Sequence, residues 1–111
     1  MNSAVAFLIL VLAAVLEAGG DALVRLGLHG HALVPRVGLF LAGAGVLFGY
    51  GLVVNAPPWD FGRLLGVYVM LFFVVAQAIN LIVFGVKPGL PVLVGGGLIV
   101  SGGLVMTLWR A

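Results

Sequence analysis

The chain has 111 residues, of which 64% are hydrophobic and only 7% charged. Soluble domains carry about a quarter charged residues, so the composition excludes one and points to an integral membrane protein. The net charge of +2 comes from five scattered basic residues that make no patch for nucleic acid, and the lack of cysteine excludes disulfide and thiol chemistry.

The first apolar run, residues 4–28, is long enough to cross about 30 Å of hydrocarbon. No basic n-region precedes it, so it is expected to be retained and not cleaved as a signal. It ends in the short turn Leu28-His29-Gly30-His31. A second run covers residues 33–54, with Pro35 in its first turn, where a missing N–H is tolerated. Asn55-Ala56-Pro57-Pro58-Trp59-Asp60 breaks it. The third covers residues 61–84 and stops at Gly85-Val86-Lys87-Pro88-Gly89. The fourth covers residues 90–109, closed by Arg110. The expected fold is all-α: one domain, a bundle of four transmembrane helices running up-down-up-down. Lipid excludes an open sheet, and no alternating pattern suggests a barrel.

The basic residues do not orient this bundle. Arg63 and Arg110 fall on one side, and Arg25, Arg36 and Lys87 on the other. The positive-inside rule gives almost no preference between the two insertions. Two opposite copies forming an antiparallel, dual-topology dimer is therefore one expectation, and a single fixed orientation is the other. Four helices alone leave little room for a pore, whereas a dimer builds a cage. The fourth helix offers a means of association. Gly95 and Gly102 are seven apart, as are Gly96 and Gly103, and Gly97 to Ser101 is a small-xxx-small pair. Such residues let helix backbones approach closely in lipid. Gly95, Gly97, Ser101 and Gly102 are the expected dimer interface, with packing inside one copy as the alternative. The second helix has small residues too, at Ala42, Gly45 and Gly49, which suit packing within the monomer.

Chemistry concentrates in Leu16-Glu17-Ala18-Gly19-Gly20-Asp21-Ala22-Leu23-Val24-Arg25. Glu17, Asp21 and Arg25 are spaced i, i+4, i+8 and share a stripe on a helix. A carboxylate in mid-bilayer costs at least a few kcal/mol, which marks Glu17 as a functional residue. Small neighbours (Ala13, Ala14, Gly20) leave room for a ligand. One carboxyl group that trades a proton for a cation is the simplest form of proton-driven export. The alternative is a neutral glutamate hydrogen-bonded to another helix. Asp21 is either a second ligand site or an ion-pair partner of Arg25. Tyr68, alone among tyrosines in the third helix, can stack on a cation or hydrogen-bond Glu17, or simply pack. Gln77 and Asn80 share a face and are expected to bond across helices. Asp60 suits the start of the third helix, Arg63 an interface anchor, and Trp59 and Trp109 an aromatic belt. His29 and His31 make only a weak metal signal. No nucleophile triad, phosphate loop or HExxH motif is present, so neither an enzyme nor a cofactor is expected.

With these residues in hand, the chain resembles the small multidrug resistance superfamily over nearly its whole length. Glu17 falls at the family's membrane-embedded glutamate, and Arg25 where many members keep a lysine. Pro35-Arg36-Val37-Gly38 is similar to the start of the family's second helix, and Phe84-Gly85-Val86-Lys87-Pro88-Gly89-Leu90-Pro91 to the turn before its fourth. Gly95 and Gly102 match the glycines through which its dimers assemble. The YnfA-like branch is closest, through Leu12-Ala13-Ala14-Val15-Leu16-Glu17 with Gly20, Phe61-Gly62-Arg63 followed by Tyr68, and Gly85-Val86-Lys87-Pro88. The resemblance implies a multi-pass protein of the bacterial inner membrane that pairs with itself, or with a close paralogue, and exports small organic cations in exchange for protons. It carries over Glu17 as the shared substrate and proton site and Tyr68 as an aromatic wall. The chain departs from the family pattern at Leu65, where a site-lining tyrosine is usual, and at Met70 and Phe72, where drug exporters have kink glycines. Gly43 and Val46 replace polar or aromatic residues, and Asp21 is an extra acid. Gly20 with Arg25 also resembles a pattern of lipid-linked aminosugar flippases in the same superfamily. A subunit of a lipid or lipid-linked sugar translocase, and a non-transporting accessory subunit, are therefore the alternative readings.

Overall fold

A computed structural model of the chain describes residues 1–109, so Arg110, counted above on the Arg63 side, lies outside the described residues. Four helices, α1 (Ser3–Leu28), α2 (Leu33–Val54), α3 (Phe61–Ile82) and α4 (Leu90–Leu108), make up almost all of it. Each is long and apolar enough to cross a membrane, as a multi-pass protein requires.

Local chemistry sets the helix ends. The Asn2 side chain accepts from the Val5 N–H at 2.8 Å, and Asp60 Oδ2 accepts from the Arg63 N–H at 2.9 Å, each satisfying an orphan donor of a first turn. α3 ends at Ile82, two residues before the expected Phe84. Gly85 takes φ +67° there, and its N–H donates to the Leu81 carbonyl while the Val86 N–H donates to that of Asn80. This left-handed turn suits glycine and closes the helix before the apolar run is exhausted. α4 stops at Leu108, one residue short of the expectation. The α1–α2 turn is tied by Arg36, whose Nε donates to the Gly27 carbonyl at 2.9 Å.

The helices lie in the spatial order α2, α1, α3, α4. α1 packs on α2 and α3, and α4 packs on α3. The molecule measures 53 × 34 × 19 Å. Its smallest dimension is less than two helix diameters of about 10–12 Å, so the bundle is drawn out into a row.

Glycines let the backbones come close where the helices meet. A Cβ on Gly43 would lie 2.7 Å from the Val24 side chain and 3.1 Å from the Gly20 carbonyl oxygen, and one on Gly20 would meet Leu47 at 2.7 Å. Gly43 and Gly20 together thus allow α2 onto α1. In α4, Gly96 receives Phe73 and Gly103 receives Met70, both from α3. That pair serves packing within one copy.

The other small residues look elsewhere. Ala42, Gly45 and Gly49 do not serve the monomer as expected: Ala42 and Gly45 are exposed, and added Cβ atoms at Gly45 and Gly49 would meet nothing within 4 Å. α2 instead presents Gly43, Leu47, Tyr50 and Val54, at helical spacing, to its neighbours. In α4, Gly95, Gly97 and Gly102 likewise have nothing within 4 Å. At 100° per residue, Gly97 and Ser101 lie roughly 100–160° around the helix from Gly95 and Gly102. The expected dimer patch is therefore two separate faces. Ser101 Oγ donates to its own helix, at the Gly97 carbonyl, 2.7 Å away.

At the end that carries Asn2 and the α2–α3 loop, Phe7 meets Trp59 edge-on at 6.3 Å and the Arg63 guanidinium lies 4.8 Å above the Trp59 ring. Arg63 Nε also donates to the Met106 carbonyl in the last turn of α4. Trp109 is exposed at the end of α4. Aromatic and basic side chains at this end suit an interfacial belt.

Candidate functional site

α1 and α3 run in the same direction and diverge. Their N-terminal halves are in contact: Leu10, Ala13 and Ala14 of α1 pack with Leu64, Val67 and Tyr68 of α3 in one buried cluster. Alanines on α1 make that contact possible, because only short side chains let two parallel helices meet in lipid. Their C-terminal halves separate around a groove of about 430 Å³.

Glu17 sits where contact gives way to groove. It is about 21 Å along α1 from Ser3 and about 16 Å from Leu28, close to the middle of the span. Its carboxylate is half-buried and accepts a hydrogen bond from the Tyr68 hydroxyl, with Oε1 2.9 Å away. Tyr68 is buried, and its ring lies 5.7 Å from Tyr50 and 6.0 Å from Phe72. The tyrosine that meets the α1 carboxylate is thus itself flanked by one ring from α2 and one from α3. The hydroxyl is a donor that a neutral or an ionised carboxyl accepts, and both carboxylate oxygens are acceptors only when ionised. The arrangement can therefore hold a proton or a cation in turn.

Of the two tyrosines, sequence reasoning found only Tyr68. Tyr50 lies seven residues from Gly43, which is two helical turns on the same face. The face that touches α1 would have named it, had the α1–α2 contact been known. Leu65 is partly buried against the core. Phe72 packs its ring 6.0 Å from that of Tyr68, and α3 runs unbroken past it.

The stripe beyond Glu17 opens into the groove. Ala18, Asp21 and Arg25 line it from α1, and Phe72, Gln77 and Asn80 from α3. The expected Asp21–Arg25 ion pair does not form. Arg25 turns its guanidinium to the Phe84 ring, 5.7 Å from its centroid. The cation–π contact places the arginine at the mouth, where its head stays in water. The cross-helix bonds expected of Gln77 and Asn80 are likewise absent among the described residues. Both amides face the groove because α1 has already swung away at their level.

Among the described residues no three His, Cys, Asp or Glu side chains come together as metal ligands. His29 and His31 are exposed in the α1–α2 turn. No family model, curated protein or solved structure matches the chain.

Proposed function

We propose that the chain is a proton-coupled transporter of the small multidrug resistance type, which exports small organic cations across the bacterial inner membrane. The observation that carries this reading is the Tyr68 hydroxyl on the Glu17 carboxylate at 2.9 Å, in mid-span and next to Ala18, which lines a polar groove. A carboxylate there is costly unless used. In the proposed cycle Glu17 releases its proton to one side and takes up a cation, which rests against Tyr68, Tyr50 and Phe72. On the opposite side a proton binds Glu17 and displaces the cation. Asp21 lies on the approach, one turn nearer the mouth, and adds negative charge that draws a cation inward. A second copy, antiparallel to the first, covers the exposed side of the groove. The open face of α4 that carries Gly95 and Gly102 offers it close backbone approach. A close paralogue would serve equally as that second chain.

The test is substrate-evoked proton flux in proteoliposomes, read with an internal pH dye, wild type beside Glu17→Gln, against guanidinium and quaternary ammonium compounds. The wild type moves protons against the substrate and the variant does not. Because proton and cation compete for one carboxylate, cation affinity rises with pH, by about tenfold per unit while Glu17 is mostly protonated, and then levels off. In Glu17→Gln that dependence is flat. No substrate-evoked proton flux from a well-folded wild-type dimer would overturn the proposal.

A further inference from the structure

The groove between α1 and α3 adjoins a second groove of different character. This one, of about 390 Å³, lies between α3 and α4 and is lined by Phe73, Val74, Val92, Leu93, Gly96 and Val100. Gln77 lines both, so the polar groove leads over one side chain into the apolar one. Their depths differ in a telling way. Arg25 lies about 5 Å, and Asp21 about 10 Å, inside the end of α1, and Asn80 about 3 Å inside the end of α3. The apolar groove runs from Pro88 down to Val100, which is about 15 Å inside the start of α4, or half of the roughly 30 Å hydrocarbon layer. Polar groups thus sit toward headgroup level and an apolar channel descends beside them through one leaflet.

We infer that the joined grooves hold one bilayer phospholipid with a primary-amine headgroup, its head between α1 and α3 and an acyl chain between α3 and α4. Charge complementarity selects that occupant. Asp21 and Arg25 are adjacent on one stripe yet not paired with each other, so each is free to meet a charge of the ligand. Arg25 donates to a phosphate in a geometry that suits guanidinium. Asp21 only accepts, so it needs a ligand that donates. A primary ammonium does so three times over, whereas a quaternary ammonium has no N–H. The amides of Gln77 and Asn80 have no side-chain partner among the described residues and remain available to the phosphate and glycerol oxygens. This site lies one to two turns beyond Glu17 and does not depend on proton exchange there.

The full-length protein is extracted in mild detergent with phosphatidylethanolamine, phosphatidylcholine and phosphatidylglycerol at equal fractions, and retained lipid is read by native mass spectrometry. Phosphatidylethanolamine is retained about tenfold over phosphatidylcholine, the discrimination expected of a charge-assisted hydrogen bond. Asp21→Asn removes that preference, Arg25→Gln weakens retention of all three, and Leu93→Trp, which fills the apolar groove, displaces all three. Glu17→Gln retains the lipid, which separates this inference from the transport reading. Equal retention of the amine and choline lipids, or an unchanged preference in Asp21→Asn, would overturn it. So would a Leu93→Cys variant that crosslinks to a second copy whatever lipid is supplied, since the groove would then hold a helix. Should Leu93→Trp fold poorly, Asp21→Asn and Arg25→Gln, both at exposed and unpaired side chains, decide the matter alone.

Discussion

The two ends of the α1–α3 pair are built from the same pair of helices to opposite purposes. Toward the N-terminal ends, Leu10, Ala13 and Ala14 meet Leu64 and Val67 without gaps, and all five are buried. Toward the C-terminal ends, Asp21 and Arg25 face Gln77 and Asn80 across open space. The hydrophobic effect does not distinguish the two ends, since lipid solvates a leucine as well as another leucine does. What differs is shape and polarity. Small apolar side chains gain dispersion contacts when backbones approach, whereas polar side chains at membrane depth need a wet or ligand-filled space. Glu17 stands at the boundary, held by Tyr68 and next in sequence to Ala18, which lines the groove.

Substitutions separate packing from polarity. The largest effect is expected at the contact that holds α2 beside this pair. Gly43→Val places a side chain against Val24 and the Gly20 backbone, and overpacking of this kind costs about 1–3 kcal/mol. Thermal unfolding in detergent should show it as a clear loss. Tyr68→Phe, at the boundary, removes one side-chain hydrogen bond, worth about 0.5–1.5 kcal/mol to stability when Glu17 is protonated. Its clearer signature is in binding. Without that donor the ionised form of Glu17 loses a stabilising partner, the proton competes better, and the pH of half-maximal cation binding moves up. The smallest stability effect is expected at the open end. Asp21→Asn alters an exposed, unpaired side chain and should stay within about 0.5 kcal/mol of the wild type. A large loss there would mean that Asp21 is structural, and the contrast between the two ends would fail.

Much of this was legible in the chain itself. The helix positions follow from apolar runs punctuated by Pro, Gly and Asn, because a span must satisfy its backbone internally and breakers must fall outside it. The single misjudged end by two residues, at Phe84, has a plain cause. Hydrophobicity continues through Val83 and Phe84, but Gly85 accepts a left-handed conformation and turns the chain before the run ends. Glu17 was legible as a charge where charge is costly, and Tyr68 as a polar group at similar depth. Tyr50 was not, because its relevance depends on which face of α2 meets α1, and that face is set by Gly43 and Gly20 together.

Composition and periodicity by themselves determined four spanning helices, the acid in mid-span and the surplus of small residues, since each is a property of one segment in a lipid solvent. Tertiary structure decided what those features do together. It docked Gly96 and Gly103 on α3 while leaving Gly95, Gly97 and Gly102 open. It put the Tyr68 hydroxyl on Glu17 across 51 residues of chain, and it kept Asp21 and Arg25 apart on one stripe. Spacing along a helix fixes which side chains share a face, but only the neighbouring helix, by its approach or its absence, decides whether that face packs, pairs or stays open.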